Sequence, residues 1–137
     1  MARVVGFDIS GKHSVNGKYY LVFAFVEAEI SPTRVERVLD VKLDLEITET
    51  PLTHSDLARV ILRNLPIEFD YITSERGEFK GKEEWIVKGI LGGREFKFCE
   101  TLGEIELVRI AHHVSKASRD LLMRVFHEGS GSLQRKV

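Results

Sequence analysis

The sequence predicts a single α/β domain built on a mixed five-stranded sheet with flanking helices. Its 137 residues match the commonest size of one domain. Three segments rich in β-branched and aromatic residues come first, joined by short turns that favour antiparallel pairing. Strands and helices then alternate, which favours parallel strands. We expect residues 1–128 to form this domain and residues 129–137, which begin with Gly-Ser-Gly-Ser, to form a flexible tail.

The three antiparallel strands are predicted from apolar runs and from the turns between them. Residues 3–9 form a β-branched run that stops at Ser10-Gly11 and is typical of a buried strand. Residues 18–30 follow an Asn16-Gly17 turn and are rich in Tyr, Val and Phe. Residues 35–47 alternate apolar with mostly polar side chains, so we expect a half-exposed third strand.

Helices and strands alternate in the second half of the chain. Two capping boxes, Thr53 with Asp56 and Thr101 with Glu104, predict where the first and the last helix begin. Apolar runs and Gly or Pro breaks predict the rest: a helix ending at residue 64, a strand over 67–73, a helix over 83–91, a strand over 95–99 and a last helix to about residue 127.

Composition and charge restrict the classes of function. The net charge of -1 gives no long-range field that would attract nucleic acid. Residues 1–75 hold 8 basic and 12 acidic side chains and residues 76–137 hold 12 and 9, so we expect any nucleic-acid contact on the C-terminal half. Without a long apolar run or a leader pattern, we expect a cytoplasmic protein with no membrane contact. The single Cys99 excludes an intrachain disulfide.

A family resemblance follows from the element order and two short segments. The order, with an Asp closing the first strand and a Glu closing the fourth, resembles the ribonuclease H-like superfamily over residues 3–127. The segment Gly6-Phe7-Asp8-Ile9-Ser10 is similar to the opening strand of RuvC-type junction resolvases. Tyr71-Ile72-Thr73-Ser74-Glu75 resembles the strand that presents their second carboxylate. The opening also resembles a small archaeal family of uncharacterised proteins.

The resemblance implies a two-metal site. In such nucleases, clustered carboxylates hold two divalent ions that activate water and stabilise the leaving oxygen of a phosphodiester. Oxygen ligands suit Mg²⁺ or Mn²⁺. Asp8 and Glu75 map to the first two ligands, with Asp70 competing if the fourth strand is shifted. The third ligand should come from the last helix, where this sequence lacks the adjacent acidic residues of the family.

Helical spacing narrows the choice of residues for the third metal ligand. Seven residues at spacings of three and four form an apolar stripe that we expect to be the core face: Leu107, Ile110, Ala111, Val114, Ser118, Leu121 and Val125. Glu106, His113 and Asp120 follow its edge, each two turns from the next, so only one can join a single centre. His112 points nearly opposite the stripe and ranks below His113. The expected catalytic set is Asp8, Glu75, His113 and Asp120, with Asp8, Glu75 and Asp120 as metal ligands.

Two functions of different class stay open, because each candidate also has an ordinary structural explanation. Asp8 could bond the turn after it, Glu75 could be a solvated loop residue and His113 could lie at the core boundary. The first hypothesis is a metal-dependent nuclease or resolvase-like enzyme acting on structured nucleic acid. The alternative is a non-catalytic ribonuclease H-like module that binds a protein or nucleic-acid partner. A homodimer formed through the edge of the second and third strands is a further expectation.

Overall fold

The computed structural model describes the backbone of residues 1–136 and the side chains of residues 1–126. Its elements in chain order are β1 (Ala2–Ser10), β2 (Tyr19–Ile30), β3 (Val35–Thr48), α1 (His54–Arg63), β4 (Tyr71–Ser74), a 3₁₀ helix (Arg76–Phe79), α2 (Glu84–Ile90), β5 (Phe96–Phe98) and α3 (Leu102–Lys136). The backbone of α3 continues past residue 127, where the sequence predicted its end, to Lys136. The flexibility predicted for residues 129–137, whose side chains are not described, stays a prediction.

The sheet has the strand order β3-β2-β1-β4-β5. β1 pairs antiparallel with β2 and parallel with β4, β2 pairs antiparallel with β3, and β4 pairs parallel with β5. The predicted mixed five-stranded α/β architecture is therefore confirmed. β1 lies at the centre of the sheet. Because β1 and β4 are parallel neighbours, their carboxyl ends lie side by side.

The fourth strand begins later than the sequence predicted. The apolar run that starts at Ile67 suggested a strand over residues 67–73, but Ile67 is 101% exposed and pairing starts at Tyr71. Asp70 fixes this start, because its backbone N–H donates to the Arg3 carbonyl at 2.7 Å and its Oδ2 accepts from the Arg3 N–H at 2.8 Å. The ladder with β1 therefore opens at residue 71.

Both faces of the sheet are covered, which gives three layers. One face carries α1, α2 and the 3₁₀ helix over a core of Phe7, Phe23, Phe79, Ile61 and Leu91. The other face carries α3, which packs Leu107 and Ala111 onto Val4 and Val26. Alternation along β1 sends Phe7 to the first face and Gly6 and Asp8 to the α3 face.

Capping and close packing fix the helices. Both predicted capping boxes are confirmed: Thr53 Oγ1 accepts from the Asp56 N–H at 3.1 Å, and Thr101 Oγ1 accepts from the Glu104 N–H at 3.2 Å. α3 lies so close to β1 at Gly6 that a Cβ atom there would stand 2.7 Å from Leu107 Cγ. None of the described helices is long and apolar enough to cross a membrane.

Candidate functional site

The carboxyl end of β1 places Asp8 under α3. Asp8 is 3% exposed although its side chain is acidic. Ser115 of α3 lies directly above it and donates from Oγ to Asp8 Oδ2 at 2.7 Å. Burial of a carboxyl group is costly unless donors face it, so this contact is what makes the position tolerable.

His112, one turn before Ser115 on α3, is the second donor to Asp8. Its Nδ1 lies 3.2 Å from Asp8 Oδ2. A carboxylate only accepts, so the contact selects the imidazole tautomer or charge state with a proton on Nδ1. The side chain is 51% exposed. The geometry therefore holds one ring nitrogen inside the site and leaves the rest of the ring towards solvent.

The hydroxyl of Ser10 extends the hydrogen bonds around Asp8. Ser10, the last residue of β1, lies 2.7 Å from Ser115 through the two Oγ atoms. Because the Ser115 proton is donated to Asp8, Ser10 supplies the proton of the Ser10–Ser115 bond. Asp8, Ser10, His112 and Ser115 form one hydrogen-bonded unit, which we call the Asp8 cluster.

Glu78 approaches Asp8 from the 3₁₀ helix. It is 7% exposed, and burial raises the pKa of its carboxyl to about 7, against the lowering effect of Lys12 and with a further increase from Asp8. Lys12 Nζ lies 2.9 Å from Glu78 Oε2. Both residues line a cavity of about 190 Å³ together with Ile9 and Leu57. The carboxyl end of the sheet thus holds two neighbouring acidic groups and one ammonium.

The other predicted site residues are exposed, unlike Asp8. Glu75 directly follows β4 at its carboxyl end, where the pairing of Gly6 with Thr73, continued by two residues, brings it level with Asp8; its side chain is exposed. Asp70 lies at the opposite, amino end of β4. His113 and Asp120 are exposed on the outer side of α3, as is Glu106. Among the described side chains, none of these carboxylates is hydrogen-bonded to Asp8, and Glu75 alone occupies a neighbouring position at the carboxyl end of the sheet.

The predicted core face of α3 is confirmed in part, since Leu107 and Ala111 are buried, but the packed face is rotated from the predicted one, and this reverses the order of the two histidines. The helix buries Glu104, Leu107, Val108, Ala111 and Ser115 against the sheet, whereas Leu121 and Val125 of the predicted stripe are exposed. The true packed face is rotated towards the side that carries His112. His112 therefore reaches Asp8, and His113, which ranked above it, does not.

The described side chains do not fit the expected two-metal centre. No three His, Cys, Asp or Glu side chains among them converge closely enough to hold a metal ion. The α3 residues that face Asp8 are Ser115 and His112, which are hydrogen-bond partners of the carboxylate rather than further anionic ligands. Lys12 brings a positive charge to Glu78. Ser115 and His112 satisfy the Asp8 carboxylate internally, so we derive no chemical step through Mg²⁺ or Mn²⁺.

Sequence reasoning missed Glu78, Lys12 and Ser115. Glu78 belongs to a segment with no periodicity of its own, and its only signal is the neighbouring Phe79, which is fully buried and anchors the 3₁₀ helix. Ser115 gave a clearer signal, because it lies at helical spacing from Ala111 and His112. Only the pairing of α3 with β1 shows that these positions meet Asp8.

A second surface lies at the other edge of the sheet, between β3 and α3. On the sheet face that α3 covers over β1 and β2, four apolar side chains of β3 remain 39% to 52% exposed: Val41, Leu43, Leu45 and Ile47. Leu43 and Leu45 line a cavity of about 200 Å³ with Ser118 and Leu122 of α3. The exposed Leu121 and Val125 lie three and seven residues beyond Ser118, on the same side of the helix. We define the β3 trough as the apolar residues Val41, Leu43, Leu45 and Ile47 of β3 and Leu121, Leu122 and Val125 of α3.

Comparisons with known proteins identify the family. A family model described as "Uncharacterized protein conserved in archaea (DUF2209)" matches residues 5–123. The chain is 37% identical over 118 residues to "Uncharacterized protein MJ0095" of Methanocaldococcus jannaschii, covering 85% of this chain and 93% of that protein. No solved structure matches the chain. The expected small archaeal family is thus confirmed, and these matches carry no ribonuclease H-like description. The chain belongs to the archaeal family DUF2209.

Proposed function

We propose that this protein is a ribonuclease H-like module that binds a protein partner and does not itself cleave nucleic acid. The ribonuclease H-like part is supported by the strand order β3-β2-β1-β4-β5, by parallel pairing of β4 with β1 and with β5, and by an acidic residue near the carboxyl end of the central strand. This strand arrangement supports the resemblance to the ribonuclease H-like superfamily that the element order of the sequence suggested.

The observation that carries the non-catalytic part is the hydrogen bond from Ser115 to Asp8. Phosphodiester cleavage by two metal ions needs several anionic oxygens directed into one open site. Here the α3 residues that contact Asp8, Ser115 and His112, bring no anionic oxygen, Glu75 is exposed, and Asp8 is 3% exposed. Because Ser115 and His112 of α3 both contact this carboxylate, Asp8 has a structural role: it connects α3 to β1.

A protein fits as the partner better than nucleic acid does. The outer side of α3 mixes Arg109 and Lys116 with Glu106 and Asp120, so it offers no continuous basic surface. Arg119 is engaged inside the fold, where its Nε donates to the Tyr20 carbonyl at 3.0 Å. The β3 trough, in contrast, is a contiguous apolar surface beside a sheet edge, which is typical of protein interaction sites.

A cleavage assay tests the proposal against the nuclease hypothesis. Branched and hairpin DNA and RNA substrates would be incubated with the wild-type chain and with Asp8→Asn in the presence of Mg²⁺ or Mn²⁺. We expect no cleavage that depends on Asp8, and no saturable binding of these nucleic acids by fluorescence anisotropy at physiological salt. Cleavage by the wild type that disappears in a folded Asp8→Asn variant would overturn the proposal in favour of the enzyme.

A further inference from the structure

We propose that the cavity beside Glu78 binds a free α-amino acid with an aliphatic side chain. Residues from the carboxyl end of β1, the start of α1 and the 3₁₀ helix line this cavity, and Lys12 and Glu78 stand on its wall. It belongs to the sheet face that α1 covers, whereas the β3 trough belongs to the α3 face. The inference therefore goes beyond the proposed partner binding and does not depend on it.

Glu78 offers an acceptor that the fold leaves open. Its side chain is buried, and within the described part of the chain its Oε2 accepts no hydrogen bond. Lys12 Nζ lies 2.9 Å from this oxygen, close enough for an ion pair but without the alignment of a hydrogen bond. A buried carboxylate is costly when it lacks donors, and the raised pKa of Glu78, about 7, reflects that cost. A ligand that donates to Oε2 would supply the missing partner.

The ammonium of Lys12 determines what else the head group of the ligand must carry. It lies next to the Glu78 carboxylate, so the wall presents one positive and one negative charge side by side. A ligand with a cation alone would bring like charge to Lys12, and a ligand with an anion alone would bring like charge to Glu78. An α-amino acid carries both groups on one carbon atom. It can therefore place its ammonium against Glu78 and its carboxylate against Lys12.

The apolar part of the cavity selects the side chain of the ligand. Its buried lining is aliphatic, and half-buried apolar residues flank it: Ile9, Leu21 and Leu57, with Tyr19 and Leu52. The cavity has a volume of about 190 Å³. An apolar cavity of about 150 Å³ holds a benzene molecule, so this volume suits an amino acid of the size of leucine. Burial of the leucine side chain removes apolar surface of the ligand and of the wall from water.

Methyl NMR titration of the full chain at pH 8, where Glu78 is ionised, provides the first test. Leucine would be compared with three fragments of itself: 4-methylpentanoate lacks the ammonium, 3-methylbutylamine lacks the carboxylate and glycine lacks the side chain. We expect leucine to bind and each fragment to bind at least about tenfold more weakly. Binding of leucine weaker than about 10 mM, or a fragment that binds as tightly as leucine, would overturn the proposal.

Two substitutions test the polar contacts, with Lys82→Gln as the matched control. Glu78→Gln keeps the shape of the side chain but removes its negative charge, and Lys12→Gln removes the ammonium. Each should weaken leucine binding at least about tenfold. Lys82 is exposed and lies outside the cavity, so its substitution should leave the affinity unchanged. If Glu78→Gln does not fold, Lys12→Gln decides, because Lys12 is exposed. Wild-type affinity in either folded cavity variant would contradict these contacts.

The methyl groups that respond to leucine locate its site. Those of Ile9, Leu21 and Leu57 should shift, whereas those of Leu43 and Leu45 in the β3 trough should not. Shifts confined to the trough would overturn the assignment to this cavity. A chain that binds no leucine would leave the proposed function standing, since that function depends on the absence of Asp8-dependent cleavage.

Discussion

At the scale of single residues, the two ends of the sheet hold buried carboxyl groups in opposite ways. Glu104 at the amino end is buried, and burial alone would raise its pKa. The Tyr71 hydroxyl, the backbone N–H groups of Thr101 and Glu100, and Lys97 instead lower the pKa of Glu104 to about 2. Glu78 at the carboxyl end has fewer donors, and burial raises its pKa to about 7. The local supply of donors therefore decides which form of each carboxyl the fold favours.

Glu78 should make the protein less stable as the pH rises through neutrality. Its folded pKa of about 7 lies above the ordinary value of 4.5, so the folded state holds this proton more tightly than the unfolded state. The contribution to stability is fully present below pH 4.5 and is lost as the pH rises through 7. We expect the loss to be on the order of 2–3 kcal/mol and to disappear in Glu78→Gln.

Urea unfolding between pH 4.5 and 8 would measure this effect. Glu75→Gln is the matched control, because Glu75 lies three residues away and is exposed. It should keep the pH dependence of the wild type. An unchanged pH dependence in Glu78→Gln would show that Glu78 does not carry this buried proton.

Glu104 should have the opposite effect and stabilise the fold at neutral pH. Its folded pKa of about 2 lies below 4.5, so its contribution is present above pH 4.5 and is lost as the pH falls through 2. Its oxygens accept from Tyr71 Oη at 2.6 Å and from the Thr101 N–H at 3.0 Å, and Lys97 Nζ lies at 3.1 Å. Glu104→Gln should therefore cost about 2–3 kcal/mol at pH 7.

Denaturation of Glu104→Gln at pH 7 and at pH 3 would test this assignment. The deficit relative to wild type should shrink at pH 3, where the wild type has already lost part of the carboxylate contribution. Glu106→Gln, an exposed change on the same helix, should stay within about 0.5 kcal/mol of wild type. Equal deficits for Glu104→Gln at both pH values would contradict a charge-based role.

At the scale of elements, the distance between α3 and β1 depends on a missing side chain. A Cβ at Gly6 would lie 2.7 Å from Leu107 Cγ, so Gly6→Ala must displace α3 or force Leu107 from its rotamer. We expect a loss of about 1–3 kcal/mol in the free energy of unfolding. Thermal and urea unfolding would measure it.

Gly89 provides a matched control for the Gly6 substitution. It lies in α2, and a Cβ there would meet no atom within 4 Å. Gly89→Ala should stabilise the protein by about 0.5–1 kcal/mol, because alanine is the better helix former. If Gly6→Ala were as harmless as Gly89→Ala, the close approach of α3 to β1 would not be limiting.

Elements with local signals were predictable, and those set by tertiary contacts were not. Both capping boxes and the three long strands could be predicted from neighbouring residues. The start of β4 could not, because the hydrogen bonds of Asp70 to Arg3 decide it across 67 positions of sequence. The face of α3 was misjudged because Leu121 and Val125, which continue the apolar stripe, belong to the exposed β3 trough and not to the core. Asp8 was found because it is an acidic residue near the end of a buried strand. Glu78 could not be found in this way, because its position depends on how the 3₁₀ helix packs against the sheet.

At the scale of the whole molecule, the sheet is protected unequally. β1 has strand neighbours on both sides and helices above and below, whereas β3 and β5 are the outer strands of the described sheet. In an outer strand, about half of the backbone N–H groups point away from the neighbouring strand and lack a sheet partner. Amide hydrogen exchange should therefore be slowest in β1 and fast at the outward-facing amides of β3 and β5.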